Sequence, residues 1–163
     1  MKKYLCLCAV YVLLVFQVSA QTTAGEAETP PASTADEIEA LLNTRAVTWA
    51  QAARFVLKAA DVTAAEDPEQ AFRYAAERSW LPKNAAAHEA ARLDGIALLV
   101  MRSFDIGGGI FFSLAKNPHY AYREMTYRDI LQGRIDPAMP VSGDILLYVC
   151  NRILSQREED GQP

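Results

Sequence analysis

Apolar residues recur at helical spacing through most of this chain, and no stretch alternates apolar with polar for long enough to demand a strand. Ile38, Leu41 and Leu42 stand at i, i+3 and i+4 behind Thr34 and Glu37, a capping-box pair, and predict a short helix ending near Asn43. Trp49, Ala52, Ala53, Val56, Leu57 and Ala60 keep the same spacing behind a Thr48 cap, and Asp61 to Glu66 reads as a loop. Asp67, Pro68 and Gln70 open a third helix, with Ala71, Phe72, Ala75 and Ala76 on one face and Trp80-Leu81-Pro82 as its stop. Lys83 to Ala90 is a loop or a loose turn.

The stretch Ala91 to Ile106 dominates the pattern, because Ile96 to Met101 are consecutively apolar and leave no polar face in the middle. A helix apolar all round is a buried one, so Arg92, Asp94, Arg102 and Asp105 are expected to mark its ends. Gly107-Gly108-Gly109 is expected to end it, and Ile110 to Leu114 to form a single turn. Asn117-Pro118-His119 leads into a helix to Leu131, in which Tyr120, Met125, Tyr127, Ile130 and Leu131 pack and Gly133 supplies the C-cap. Ile135 to Pro140 is a loop, and Ser142 caps the last helix.

The central stretch has weaker echoes. Displaced back by 44 positions it falls on Val47 to Val62, setting Val100 on Val56 and Asp105-Ile106 on Asp61-Val62. Displaced forward by 50 it falls on Val141 to Leu154, setting Asp94 on Asp144, Val100 on Cys150 and Arg102 on Arg152. Periods in this range belong to architectures in which each unit buries its apolar face against its neighbours. The expected fold is all-α, with repeated helix–loop–helix units packed in one small domain.

Composition sets the outer limits. With 51% hydrophobic and 22% charged residues the 163-residue chain is ordinary for a globular domain. Met1-Lys2-Lys3, the apolar run Tyr4 to Phe16 and Val18-Ser19-Ala20 form the three parts of a secretory signal peptide, so residues 1–20 are expected to be cut off after Ala20. The apolar run is short of the roughly 20 residues a membrane span needs, and no span is expected once it is cleaved. Residues 21–33, with Pro30-Pro31 and nothing apolar larger than Ala, read as a flexible linker, 34–155 as the helical domain and 156–163 as a disordered tail. Location is then the periplasm or cell envelope.

Cleavage takes Lys2 and Lys3 from the 16 basic residues, leaving 14 against 20 acidic ones and a net charge of −6. Nucleic acid is a poor partner for such a chain, since binding it requires an excess of Lys and Arg. Cleavage also takes Cys6 and Cys8, so Cys150 stands alone without an intramolecular disulfide. Its place opposite Val56 and Val100 reads as a small buried hydrophobe, with a reactive thiol as the alternative.

The segment Pro68 to Pro82 followed by Ala91-Arg92-Leu93-Asp94 resembles a unit of the S-layer homology family: a helix, a loop, and a second helix opened by a Thr-Arg-Ala-Glu-like tetrad. The resemblance covers about Ala35 to Leu154. It implies three units packed as a pseudo-trimer, with tetrad arginines and nearby acidic and aromatic groups lining grooves that bind acidic cell-wall polysaccharide. Arg92 and Asp94 keep the tetrad charges, with Ala91 in place of the hydroxyl; the last copy, Val141-Ser142-Gly143-Asp144, keeps only Asp144, and Val47-Thr48-Trp49-Ala50 keeps neither charge.

Candidate ligand-binding residues are therefore Arg92, Asp94 and Asp144, together with Tyr120 and Arg123 of an aromatic and basic cluster that also includes His119, Tyr122 and Tyr127. A charged pair such as Arg92 and Asp94 at a helix start is more often a solvated end or a cap for a neighbouring loop. Trp49 and Trp80 are core residues or sugar-stacking platforms. His88 and His119 are 31 residues apart with no ligand-spaced partner, so neither metal nor cofactor is expected. No nucleophile elbow or Cys/His pairing appears, and catalysis is not expected. The sequence thus points to an exported, non-catalytic module docking to an envelope polysaccharide or, alternatively, to an envelope protein.

Overall fold

The computed structural model describes residues 34–62, 67–133, 135–159 and 161. The signal peptide and linker expected over 1–33 lie outside the described residues. Those described form seven helices and no strand: α1 (Thr34–Leu42), α2 (Trp49–Ala59), α3 (Pro68–Glu77), α4 (Leu93–Ser103), α5 (Ile110–Ala115), α6 (Pro118–Tyr127) and α7 (Gly143–Glu159). The all-α class is thereby established for the described residues.

Helix starts follow local chemistry where a cap exists. Thr48 and Gln51 exchange both capping-box hydrogen bonds at α2, and Asp67 and Asn117 accept from the third amides of α3 and α6, each followed by Pro. α4 has no side-chain cap. Its first amides are held instead by distant carbonyls, Leu93 donating to Met139 (3.1 Å) and Asp94 to Pro137 (2.9 Å). Trp49 and Ala50 donate likewise to Glu89 (3.0 Å) and Ala87 (2.9 Å), and Gly143 donates to Thr44 (2.9 Å).

These crossings surround a closed ring. The amide of Ala91 donates to the Val47 carbonyl (2.8 Å), that of Val141 to Ala91 (2.9 Å), and that of Val47 to Val141 (2.8 Å). All three residues are fully buried. Extended backbone cannot bond to itself, and buried amides left unpaired are costly, so three segments distant in sequence satisfy one another. The only bridges among the described residues, Thr48 with Ala90 and Arg92 with Pro140, are part of the same junction.

Around it α4 packs on α6, α2 on α3 and α7 on α1. The core is centred on α4, whose Leu93 and Gly95 to Met101 are all buried. Val56 and Val100 are wholly enclosed and Cys150 nearly so; each such aliphatic side chain contributes about 2 kcal/mol of burial.

Several boundaries differ from the pattern. α4 begins at Leu93 and ends at Ser103, because Ala91 belongs to the ring and Asp105, at φ 50°, turns the chain while Ile106 donates to Met101 (2.8 Å). Asp61 and Val62 close α2 in the same way, with Val62 donating to Leu57 (2.8 Å). Gly107 to Gly109 are therefore not the terminator and none has positive φ; Gly108 is small because a β-carbon there would lie 2.5 Å from the Phe112 ring. α6 ends at Tyr127 with Asp129 at φ 56°, ahead of Gly133, so Tyr127 swings out to solvent instead of packing.

α7 continues to Glu159, into the segment assigned to a disordered tail. Gln156 donates to the Arg128 carbonyl (3.3 Å) and the Arg157 guanidinium lies 5.8 Å from the Phe104 ring centre, contacts that hold this last turn. In α1 only Leu41 is buried, and Glu37 reaches across to Arg54 and Lys58 of α2 in place of forming a capping box.

Candidate functional site

Arg92 sits at the mouth of α4, in extended backbone (φ −99°, ψ 149°) fixed by the ring on one side and the Pro140 bridge on the other. That placement leaves its side chain more than half exposed, with the guanidinium 2.9 Å from an Asp94 oxygen. The second Asp94 oxygen accepts from the Gly95 amide at 2.8 Å, so the carboxylate serves the helix start and Arg92 together.

The pair borders a groove of about 350 Å³ whose other polar walls are Lys83, Asn84 and Glu89 from the loop ahead of α4, with Trp49 of α2 at its base. A second hollow of about 520 Å³ shares Pro82, Lys83 and Pro118 with it and runs on to Lys116 and Asn117. Lys83 borders both hollows, Arg92 the first and Lys116 the second. The Arg92 groove sets two cations, Lys83 and Arg92, beside two carboxylates, Glu89 and Asp94, and a guanidinium can grip a carboxylate with two parallel N–H donors.

Tyr120 and Arg123 lie elsewhere. They border a smaller hollow of about 180 Å³ with Phe111, Phe112, Glu124 and Tyr127. Asp144 is exposed, borders none of these hollows, and is held below the usual carboxylate range chiefly by the Ser142 hydroxyl. The five candidates therefore divide into the pair Arg92 and Asp94, the pair Tyr120 and Arg123, and Asp144 alone.

No protein-family model, curated protein or solved structure matches this chain. The geometry carries the functional argument.

Lys83, Asn84 and Glu89 escaped sequence reading because their loop has no periodic pattern. A usable signal was their position immediately before Ala91-Arg92-Leu93-Asp94. Trp49 is buried, as a core residue would be, and Trp80 is half-buried, edge-on to Tyr74 at 5.8 Å. Burial pushes the Cys150 thiol up to about 12, which keeps it protonated and unreactive at neutral pH. Among the described residues, no three His, Cys, Asp or Glu side chains come together as a metal site, and no helix is long and apolar enough to cross a membrane.

Glu124 provides a pH test of the smaller hollow. Its carboxyl is held below the ordinary 4.5, first by the Gly109 amide it accepts from at 3.0 Å and then by Arg128. A depressed folded-state value means the carboxylate stabilises the protein fully above 4.5, and that this contribution disappears as pH falls through the lowered value. Glu124→Gln should lower the melting temperature at neutral pH, and the gap from the parent should close on acidification. A gap constant down to the acid limit would contradict the assigned bonds.

Proposed function

We propose that the chain is an exported, non-catalytic module of S-layer-homology type that docks to acidic cell-envelope polysaccharide through the groove beside Arg92. In this reading the units are α1–α2, α3–α4 and α6–α7, and the Val47–Ala91–Val141 ring is their pseudo-threefold axis. Three features support it: the cyclic hydrogen bonds, the starts of α2, α4 and α7 at offsets of 44 and 50 residues, and the packing of each second helix on the next unit's first.

The observation that carries the binding half is the exposed Arg92 side chain at the edge of a groove with a tryptophan at its base. An exposed arginine paired only to a neighbouring carboxylate exchanges partners readily, because surface ion pairs are worth about 1 kcal/mol or less. Export rests on the signal-peptide pattern of residues 1–20.

Co-sedimentation of the mature protein with purified acidic envelope polymer tests the proposal. Arg92→Ala should weaken binding by about one to two decades, the loss of one or two charge-assisted hydrogen bonds. Lys at this position should rescue in part, since it supplies charge without the planar fork. A single tetrad that keeps both charges offers no avidity, so binding should be weak and fall as salt rises. Absent binding, or equal binding by folded parent and Arg92→Ala, would transfer the reading to a protein-interaction module of the envelope.

A further inference from the structure

α5 is a helix built to be seen from outside. Ile110, Phe111 and Leu114 are 84%, 70% and 86% exposed, and Tyr127 beside them is 85% exposed. Large apolar side chains scattered singly need no explanation, but several on one short element mark an interaction surface.

The element is anchored firmly at its base. Phe112 is buried, the Gly109 amide donates to Glu124 at 3.0 Å, the Ser113 hydroxyl donates to the Gly108 carbonyl at 3.1 Å, and Arg128 donates to the Gly107 carbonyl. The outward side chains are therefore presented by a braced turn, with Phe111 stacked on Tyr120 at 5.8 Å.

Charge says what the surface fits. Lys116, in the left-handed conformation at φ 42°, and Arg123 flank the apolar tip, and neither makes an ion pair among the described residues. Of the residues lining the hollow under α5, Glu124 has the only carboxylate, and the Gly109 amide and Arg128 already occupy it. An exposed apolar tip with exposed cations beside it matches the interface of an anionic bilayer. The acidic net charge does not forbid this, because screening over about 10 Å leaves the local cations to decide. A second copy is a poorer occupant, since a six-residue helix falls far short of the roughly 800 Å² per partner of a stable dimer.

We propose that α5 is a membrane-contact element: Ile110, Phe111 and Leu114 enter the interface of an anionic lipid bilayer while Lys116 and Arg123 meet the headgroups. It shares Lys116 with the second hollow beside the Arg92 groove, while Ile110, Phe111 and Leu114 border neither hollow, so substitutions on α5 test it separately from the polysaccharide reading.

The test uses the full chain bearing Phe111→Trp, with its fluorescence taken as the difference from the parent, which already holds Trp49 and Trp80. A reporter at position 111 matters because Tyr4 to Phe16 is apolar enough to attract lipid by itself. Vesicles of phosphatidylglycerol and phosphatidylcholine should shift the emission to the blue and allow quenching by brominated acyl chains, with at least about tenfold weaker response in pure phosphatidylcholine. Adding Ile110→Ser and Leu114→Ser, with folding checked by circular dichroism, should remove the shift. No shift with anionic vesicles, an undiminished shift in the double serine variant, or a concentration-dependent shift without vesicles, as a second copy would produce, overturns the proposal.

Discussion

Val100→Asp is expected to cost about 3–5 kcal/mol and to leave the chain largely unfolded at ordinary temperatures. Val100 has no exposed surface, and it lies in the run Gly95 to Met101 of α4, every member of which is buried. No buried polar or charged side chain lies among the described core residues, so the new carboxylate finds no partner. It must remain ionised at high cost, take up a proton, or drag solvent into the centre of the protein. Urea unfolding of parent and variant at neutral pH provides the measurement. Only a small part of the loss should be recovered at low pH, where the carboxyl is neutral but still lacks a hydrogen-bond partner. An unchanged midpoint would mean that α4 is not the centre of the core.

Gly143→Ala should be nearly as damaging, at about 3 kcal/mol, although it adds a single methyl group. A β-carbon there would lie 1.7 Å from the Leu41 carbonyl oxygen and 2.5 Å from its carbonyl carbon. Both are backbone atoms, so no rotamer change relieves the clash, and the end of α1 must move. That movement breaks the bond from the Gly143 amide to Thr44 and loosens the contact between α7 and α1. Gly107→Ala is the matched control, because its β-carbon would meet nothing within 4 Å. It should be neutral or slightly stabilising through the entropy of the unfolded chain. Similar denaturation midpoints for the two variants would refute the close approach of α1 and α7.

The sequence alone was sufficient wherever structure depends on residues within one or two turns of each other. Thr48, and Asp67 with Pro68 and Gln70, announced helix starts because a cap is made by neighbours. The unbroken run Ile96 to Met101 announced a buried helix because apolarity on all faces has one inexpensive solution in water. The positions set equivalent by offsets of 44 and 50 residues include Trp49, Leu93 and Gly143, the first residues of α2, α4 and α7.

Tertiary structure decided everything that needed a distant partner. Periodicity says which face of a helix is apolar and not whether another element covers it. Leu41 is therefore buried while Ile38 and Leu42 are not, and Ile110, Phe111 and Leu114 of α5 stand in water while Phe112 between them is buried. Glu37 satisfied the local rule for a capping box, yet two cations of α2 offer its carboxylate a stronger bond. The charged end of α7 stays helical because Arg128 and Phe104, far away in sequence, hold it. Arg92 was a candidate through the resemblance of Ala91-Arg92-Leu93-Asp94 to a family tetrad, not through its charge and place alone. Its groove was not legible, because Trp49, distant in sequence, reaches it only when the ring of Val47, Ala91 and Val141 closes, and backbone amides carry no trace in the sequence of the carbonyl they will find.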